Sequence, residues 1–411
     1  MAVAFLAITV SSVSVAEAAG IVDRGASPPR VSKVSGSKVV ASEVFARPAS
    51  AADFWTKERM LSAQPVDNQP PASSFDVPDL AAEAGISAAT GDFTPGNVTA
   101  FPQRIHGKIF FLVGANTFTC SGTIINSARK NVIFTAGHCV YDRTAGQFVN
   151  QLAFVPGYEN GNAPLGVYYA TQVFTTPQWV NNGANSYDIA VATLDTPIEN
   201  SYGSRQIAFD LNPKGREYTL YGYPSKPDPP FNGEVLQGCR SKFSGRDGAG
   251  SGNISPYPLA ASPCFMQQGA SGGGWVTLGN FVNSVVSYGY CDSAPSSCGF
   301  IFGPYFSNAA KSLYVRSEVG GSPAPTVKLV KAPPKVVRKR TVRFSFSGTF
   351  STLAAFSCKL DRQQAVNCSS KISITRLSPG KHTLRVRAVD QTGKMSRKQI
   401  VRSFRVILPR R

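Results

Sequence analysis

Thr135-Ala-Gly-His138-Cys139 follows directly on a hydrophobic run, Val132-Ile-Phe. A β-branched and aromatic run of this kind predicts a strand. The small residues after it predict a tight turn that presents an imidazole. Cys139 adjoins His138, and a bond to nearby Cys120 would close the loop and hold the ring. A general base must sit within hydrogen-bond reach of the proton it takes, so a clamped histidine suits that role. Taken alone, the motif also reads as a buried histidine capping a turn. Two further motifs weigh against that reading, because they supply the partners that a basic histidine needs.

Gly269-Ala-Ser271-Gly-Gly273 offers a serine nucleophile whose own N–H, with that of Gly269, can hold a developing oxyanion. Glycine at 269 permits the turn without a side chain in the way. The bland reading is a flexible glycine-rich loop. Ser186-Tyr-Asp188-Ile-Ala-Val-Ala-Thr-Leu places an acid at the mouth of an apolar strand, where it can orient an imidazole; an aspartate there is also a routine turn residue. The three motifs occur in the order His, Asp, Ser, which marks chymotrypsin-type enzymes and not subtilisins or α/β-hydrolases. A lipase or esterase would want the serine first, so Gly-x-Ser-x-Gly spacing alone does not carry that alternative.

Other segments strengthen the same reading. Cys120-Ser-Gly-Thr and the His138 motif resemble the trypsin-like peptidases. Gly107-Lys-Ile-Phe-Phe, Leu220-Tyr-Gly-Tyr-Pro224 and Met266-Gln-Gln-Gly-Ala-Ser-Gly-Gly-Gly-Trp275 are similar to the bacterial glutamyl-endopeptidase-like branch. The resemblance runs from about Pro102 to Ser317. It implies an all-β fold of two six-stranded antiparallel barrels with the site between them. His138 would be the base, Asp188 its orienter and Ser271 the nucleophile, with Gly269 and Ser271 forming the oxyanion hole. Ser287-Tyr288-Gly289 resembles the strand that pairs with substrate. Phe265 stands where trypsin-like specificity would place an acid, and Val286 where glutamate-specific members carry histidine. An apolar preference is therefore the expectation. Ala270 replaces the usual polar residue before the serine, which argues against activation by a freed N-terminus pairing there.

The surrounding chain sets the context. It has 411 residues, 42% hydrophobic and 16% charged, with 37 Gly and 29 Pro, a composition that favours turns and strands. Residues 1–19 read as a signal peptide, an apolar stretch ending in Ala16-Glu-Ala-Ala, although the usual positive start is missing. Residues 20–100 are rich in Ala, Ser and Pro and read as a disordered pro-region or linker that would block the cleft until cut. Gln103-Arg104-Ile105 is the candidate cutting site. The protease domain is expected over 101–318 and a linker over 319–325. The eight cysteines fall into near neighbours: 120 with 139, 239 with 264, 291 with 298 and 358 with 368. Without Cys-x-x-Cys and with only three histidines, disulfides in an exported protein are the simpler account than zinc. The chemistry calls for no metal or cofactor.

Net charge is +18, but residues 325–411 hold 21 Lys and Arg against Asp361 and Asp390. That region carries +19 and leaves −1 for the rest. Residues 326–411 show half-buried strands, with Val342, Phe344 and Phe346 alternating with polar residues, and resemble an Ig-like β-sandwich appended to exported bacterial proteins. An anionic cell-surface polymer is its candidate partner; a solvated spacer is the plain alternative. No nucleic-acid motif and no membrane span are read. The leading function is a secreted serine endopeptidase acting on proteins or peptides. The alternative is a catalytically silent protease fold anchored by its basic domain.

Overall fold

The computed structural model describes residues 8–9, 39–41, 54–66, 91–227, 230–248, 252–291, 298–318, 324–349, 354–390 and 395–407. The expected leader, apart from Ile8–Thr9, and the linker at 319–323 lie outside these residues. The chain divides into two compact units, Gly36–Ser322 and a second formed by Pro323–Arg411 with Met1–Ser35. No described helix is long and apolar enough to cross a membrane.

In the first unit, β1 (His106–Val113) and β2 (Asn116–Ile125) form a hairpin in continuous register from His106↔Thr123 to Val113↔Asn116. With β3 (Val132–Thr135), β4 (Asn150–Pro156), β5 (Tyr168–Thr175) and β6 (Ala190–Leu194), they make a sheet ordered β4-β1-β2-β3-β6-β5. Pairing of β4 with β5 closes it into a six-stranded barrel, which removes the exposed edges an open sheet would carry. Ile109, Phe111, Ile124, Ile133 and Val173 fill its interior, while Phe134, on the opposite face of β3, packs against Phe306 and Tyr314.

A second set of six strands follows: β7 (Glu217–Gly222), β8 (Gln237–Arg246), β9 (Leu259–Cys264), β10 (Gly274–Thr277), β11 (Phe281–Val285) and β12 (Gly299–Gly303). Its order is β11-β10-β7-β8-β9-β12. It closes just beyond β11, where Tyr288 bridges Phe302 and the Ser287 N–H donates to the Phe302 carbonyl at 2.9 Å. Leu220, Leu259, Met266, Trp275 and Ile301 form its core.

Within the stretch 20–100, read as a disordered pro-region or linker, some of the described residues are ordered against the barrels of the first unit. Residues 54–66 contain α1 (Lys57–Ser62), and Trp55 and Met60 are buried against Phe110, Tyr158 and Leu236. Farther on, Asp92–Phe93 pairs with β8 at Gly238–Cys239. Both segments carry large apolar side chains, Trp55 and Met60 in one and Phe93 in the other, within a region otherwise rich in small residues. The cut expected at Arg104–Ile105 is also not presented. Gln103–Ile105 is a single 3-10 turn leading into β1, Ile105 is wholly buried, and Arg104 Nε donates to the Tyr202 carbonyl.

The second unit is a β-sandwich. One sheet contains β13 (Lys328–Lys331), β15 (Val342–Ser347) and β18 (Lys371–Ile374), with Ile8–Thr9 added at its edge. The other runs β14 (Val336–Val337), β20 (Ile400–Val406), β19 (Gly380–Asp390), β16 (Ala354–Leu360) and β17 (Val366–Cys368). Val342, Phe344, Phe346, Phe356, Leu384, Val386 and Phe404 share the core. Disulfides join Cys120–Cys139, Cys239–Cys264, Cys291–Cys298 and Cys358–Cys368.

Candidate active site

Thr135, the last residue of β3, pairs with Ala190, the first of β6. The chain leaving β3 therefore runs out beside the chain entering β6, and His138 meets Asp188. Asp188 Oδ1 accepts the His138 backbone N–H at 2.8 Å, and Oδ2 accepts the Nδ1–H at 2.7 Å. Asp188 is wholly buried and His138 is 6% exposed, so these charge-assisted bonds lie out of water's reach. Gly137 permits the approach, since a Cβ there would stand 2.9 Å from Asp188 Oδ1 and from Trp179 Cγ. Two hydroxyls brace the Asp188 turn: Thr175 Oγ1 donates to the Ile189 carbonyl at 2.9 Å and Thr176 Oγ1 to that of Tyr187 at 2.6 Å. With its proton on Nδ1, the ring leaves Nε2 basic. Nε2 is buried and bonds to no described group.

The other histidines are placed differently. His106 is buried, its Nδ1 against Thr123 Oγ1 and its ring stacked on Tyr221. Burial, aided by the charge of Arg205, holds its pKa well below the usual histidine range. His382 is bonded through both nitrogens, to Asp361 and to the Ser378 carbonyl.

Ser271 lies on the turn before β10, against the His138 loop. Its carbonyl accepts the Ser121 N–H at 2.7 Å, and Ser121 Oγ donates to the Gly269 carbonyl at 2.8 Å. Ser121 thus stitches the first barrel to the serine turn. The Gln268 carbonyl accepts from Ser225 N–H at 2.7 Å and Ser225 Oγ at 3.0 Å. A trans peptide points its N–H opposite its C=O, so the Gly269 N–H turns away from Ser225. The Ala270 carbonyl accepts from Gly273, which turns the Ser271 N–H away in the same manner. Neither N–H is bonded to a described acceptor. Gly269 has φ +91°, and a Cβ there would lie 2.5 Å from the Tyr223 carbonyl oxygen, so only glycine fits.

A small pocket adjoins Ser271, walled by Met266, Val286 and Ile301, with Ser287, Tyr288 and Gly289 along one side. Phe265, expected in this wall, is not among the described residues that line it. Side chains alternate past Cys264, so Met266 faces the pocket while Phe265 packs on the outer part of the second-barrel core. Tyr288 stacks on Phe302, and its hydroxyl donates to Asp247 Oδ2 at 2.7 Å. Sequence reasoning missed three contacts here. Ser121 is visible only as part of the Cys120-Ser-Gly-Thr resemblance. Ser287 was read for its backbone, yet its hydroxyl reaches Asp188. Val66, from the N-terminal stretch, also lines the pocket.

Paired barrels with a buried imidazole–carboxylate couple facing a serine on a glycine turn define the class of two-barrel serine peptidases. A family model for trypsin matches residues 99–305, half of the sequence, and the chain belongs to the trypsin family. It is 30% identical to a glutamyl endopeptidase of Bacillus licheniformis over 129 residues, 31% of this chain. That match spans 38% of the length of the relative. Among solved structures, protease Anisep from Arthrobacter nicotinovorans is 31% identical, with 55% of this chain and 98% of that one covered and a TM-score of 0.48. A thermostable serine protease, AL20, from an extremophilic microorganism is 35% identical, covering 51% and 95%, with a TM-score of 0.46.

Proposed function

We propose that the chain is a secreted serine endopeptidase. The carrying observation is the 2.7 Å bond from His138 Nδ1 to Asp188 Oδ2, with Nε2 left unengaged beside the Ser271 turn. Ser271 Oγ attacks the scissile carbonyl carbon while His138 Nε2 takes its proton. The N–H groups of Gly269 and Ser271 receive the oxyanion. His138 then protonates the departing amine, leaving an acyl-enzyme. Water, deprotonated by the same nitrogen, attacks the ester and frees Ser271. His138 Nε2 makes no hydrogen bond to Ser271 Oγ here, and such bonds commonly tighten on substrate binding. The glutamyl endopeptidase relative suggests acidic substrates, but no cation is among the described residues lining the pocket. Its Met266, Val286 and Ile301 walls favour an apolar P1 side chain. Four disulfides support an oxidising, extracellular setting. A fluorophosphonate probe should label the protein and fail on Ser271→Ala; labelling that survives the substitution would overturn the assignment.

The basic Ig-like unit, on this reading, holds the enzyme on an anionic extracellular polymer. On the outward face of its five-stranded sheet, Lys359 is directly opposite Arg385 and Lys381 directly opposite Arg405. Like charges so paired weaken a sheet, which favours a polyanion ligand over a merely solvated face. Arg385→Ser with Arg405→Ser should lower the salt needed to elute the protein from heparin–agarose. Absence of retention at low salt would favour the spacer reading.

A further inference from the structure

The cleft already has an occupant. Trp55 and Met60, each 4% exposed, sit in a cluster of the first barrel, and Trp55 Nε1 donates to the Gln151 carbonyl at 2.8 Å. From this anchor the chain runs along β2, Gln64 pairing with Phe118 and Pro65 with Thr119 in parallel. The Val66 N–H donates to the Thr119 carbonyl at 3.2 Å. The next residue of β2 is Cys120, whose disulfide partner adjoins His138. Here Val66 forms part of the wall of the pocket that holds Ser271, Met266, Val286 and Ile301. The free space left is about 20 Å³, room for one water and not for a substrate side chain.

We infer that Phe54–Val66 is an intramolecular ligand of the catalytic cleft, that it keeps the enzyme latent, and that Val66 marks small aliphatic side chains as those the pocket accepts. The inference rests on the endopeptidase reading. A tethered segment acts at high effective concentration, so modest contacts suffice to keep it in place. The catalytic unit has a second, separate hold on the N-terminal stretch. Arg240 N–H donates to the Gly91 carbonyl at 2.7 Å, and the Phe265 N–H reaches the Asp92 carboxylate at 3.2 Å. A cut within residues 67–90 would therefore release Val66 and leave Asp92–Phe93 paired with β8. Activation by such a cut needs no new N-terminus inside the barrel, in accord with Ala270 before the serine and with the buried Ile105.

The test uses the full chain with a recognition sequence for a specific exogenous protease inserted within 67–90. Peptide-amide turnover is read before and after cutting, with fluorophosphonate labelling alongside. A cleft covered for 90–99% of the time predicts a rise in kcat/KM of about 10- to 100-fold on release. Trp55→Ala and Val66→Asp should raise turnover in the uncut chain and shrink the response to cutting. The released enzyme should prefer Val or Ala at P1 over Phe, Lys and Glu. Equal kcat/KM before and after cutting, with labelling of Ser271 intact, overturns latency and leaves the endopeptidase reading standing. A P1 preference for a large or charged side chain overturns the assignment of the pocket. Neither labelling nor turnover in any form overturns both readings.

Discussion

Ser287, on the second barrel, donates its hydroxyl to Asp188 Oδ2 at 2.5 Å, the same oxygen that holds His138 Nδ1. Asp188 belongs to the first barrel, so the acid is fixed from both sides of the cleft. Its Oδ1 is meanwhile occupied by the His138 peptide N–H. Ser287→Ala removes one of the donors on Asp188 and should lower kcat/KM about 10- to 150-fold, the worth of one hydrogen bond to a charged group. Asp188→Asn should lower kcat by about 10⁴-fold with little change in KM, because an amide no longer dictates which ring nitrogen carries the proton. Steady-state kinetics on the released enzyme separates the two. A Ser287→Ala loss as deep as that of Asp188→Asn would mean that the hydroxyl acts in the chemistry itself.

Gly269→Ala tests the oxyanion assignment. The added methyl would meet the Tyr223 carbonyl at 2.5 Å and force the peptide out of its φ +91° conformation. The N–H of residue 269 would then miss the oxyanion. A fall in kcat of about 10²- to 10³-fold is expected, with the fold intact by circular dichroism. Unchanged kcat would remove this N–H from the mechanism.

The His138–Asp188 couple is legible in the sequence because each residue sits at the end of a strand whose apolar pattern is plain, and β3 and β6 are neighbours. The serine turn is legible for a similar reason, since its glycines flag a tight loop. What is not legible depends on contacts across the fold. Ser121 meets Gly269 over 148 positions, and nothing local at Cys120-Ser-Gly-Thr signals that partner. The choice of Met266 over Phe265 for the pocket depends on side-chain parity past Cys264, which one residue of register reverses. Trp55 and Met60, with Phe54 and Leu61 beside them, form a short patch in an Ala, Ser and Pro background; it sustains no periodicity, so composition hides a segment that tertiary packing orders.

The Cys120–Cys139 disulfide joins β2 to the His138 turn across a separation of 19 residues. Chain-entropy arguments give a loop of that size a contribution of about 3 kcal/mol. Replacing both cysteines with alanine should therefore lower stability to urea by roughly that amount. Activity at low temperature should fall as well, since the His138 loop loses its clamp. Loss of stability with full activity in the remaining folded fraction would show that the ladder and the Asp188 bonds alone position the ring.

Asp92 supplies a pH test of the second N-terminal contact. Its carboxylate accepts the Phe265 N–H, but burial dominates and pushes its pKa up from 3.8 to about 6. Between those values the folded protein keeps a proton that the unfolded chain has released. The stabilising contribution of this group is thus complete below pH 3.8 and is lost as pH rises through about 6. Asp92→Asn keeps an oxygen for the Phe265 N–H and cannot ionise. The melting temperature of the variant relative to the parent should therefore climb between pH 4 and pH 7, by an amount equivalent to at most about 3 kcal/mol. A difference that stays flat across this range would mean that Asp92 is solvated in the folded chain, and that the Gly91–Phe93 segment is held by its pairing with β8 alone.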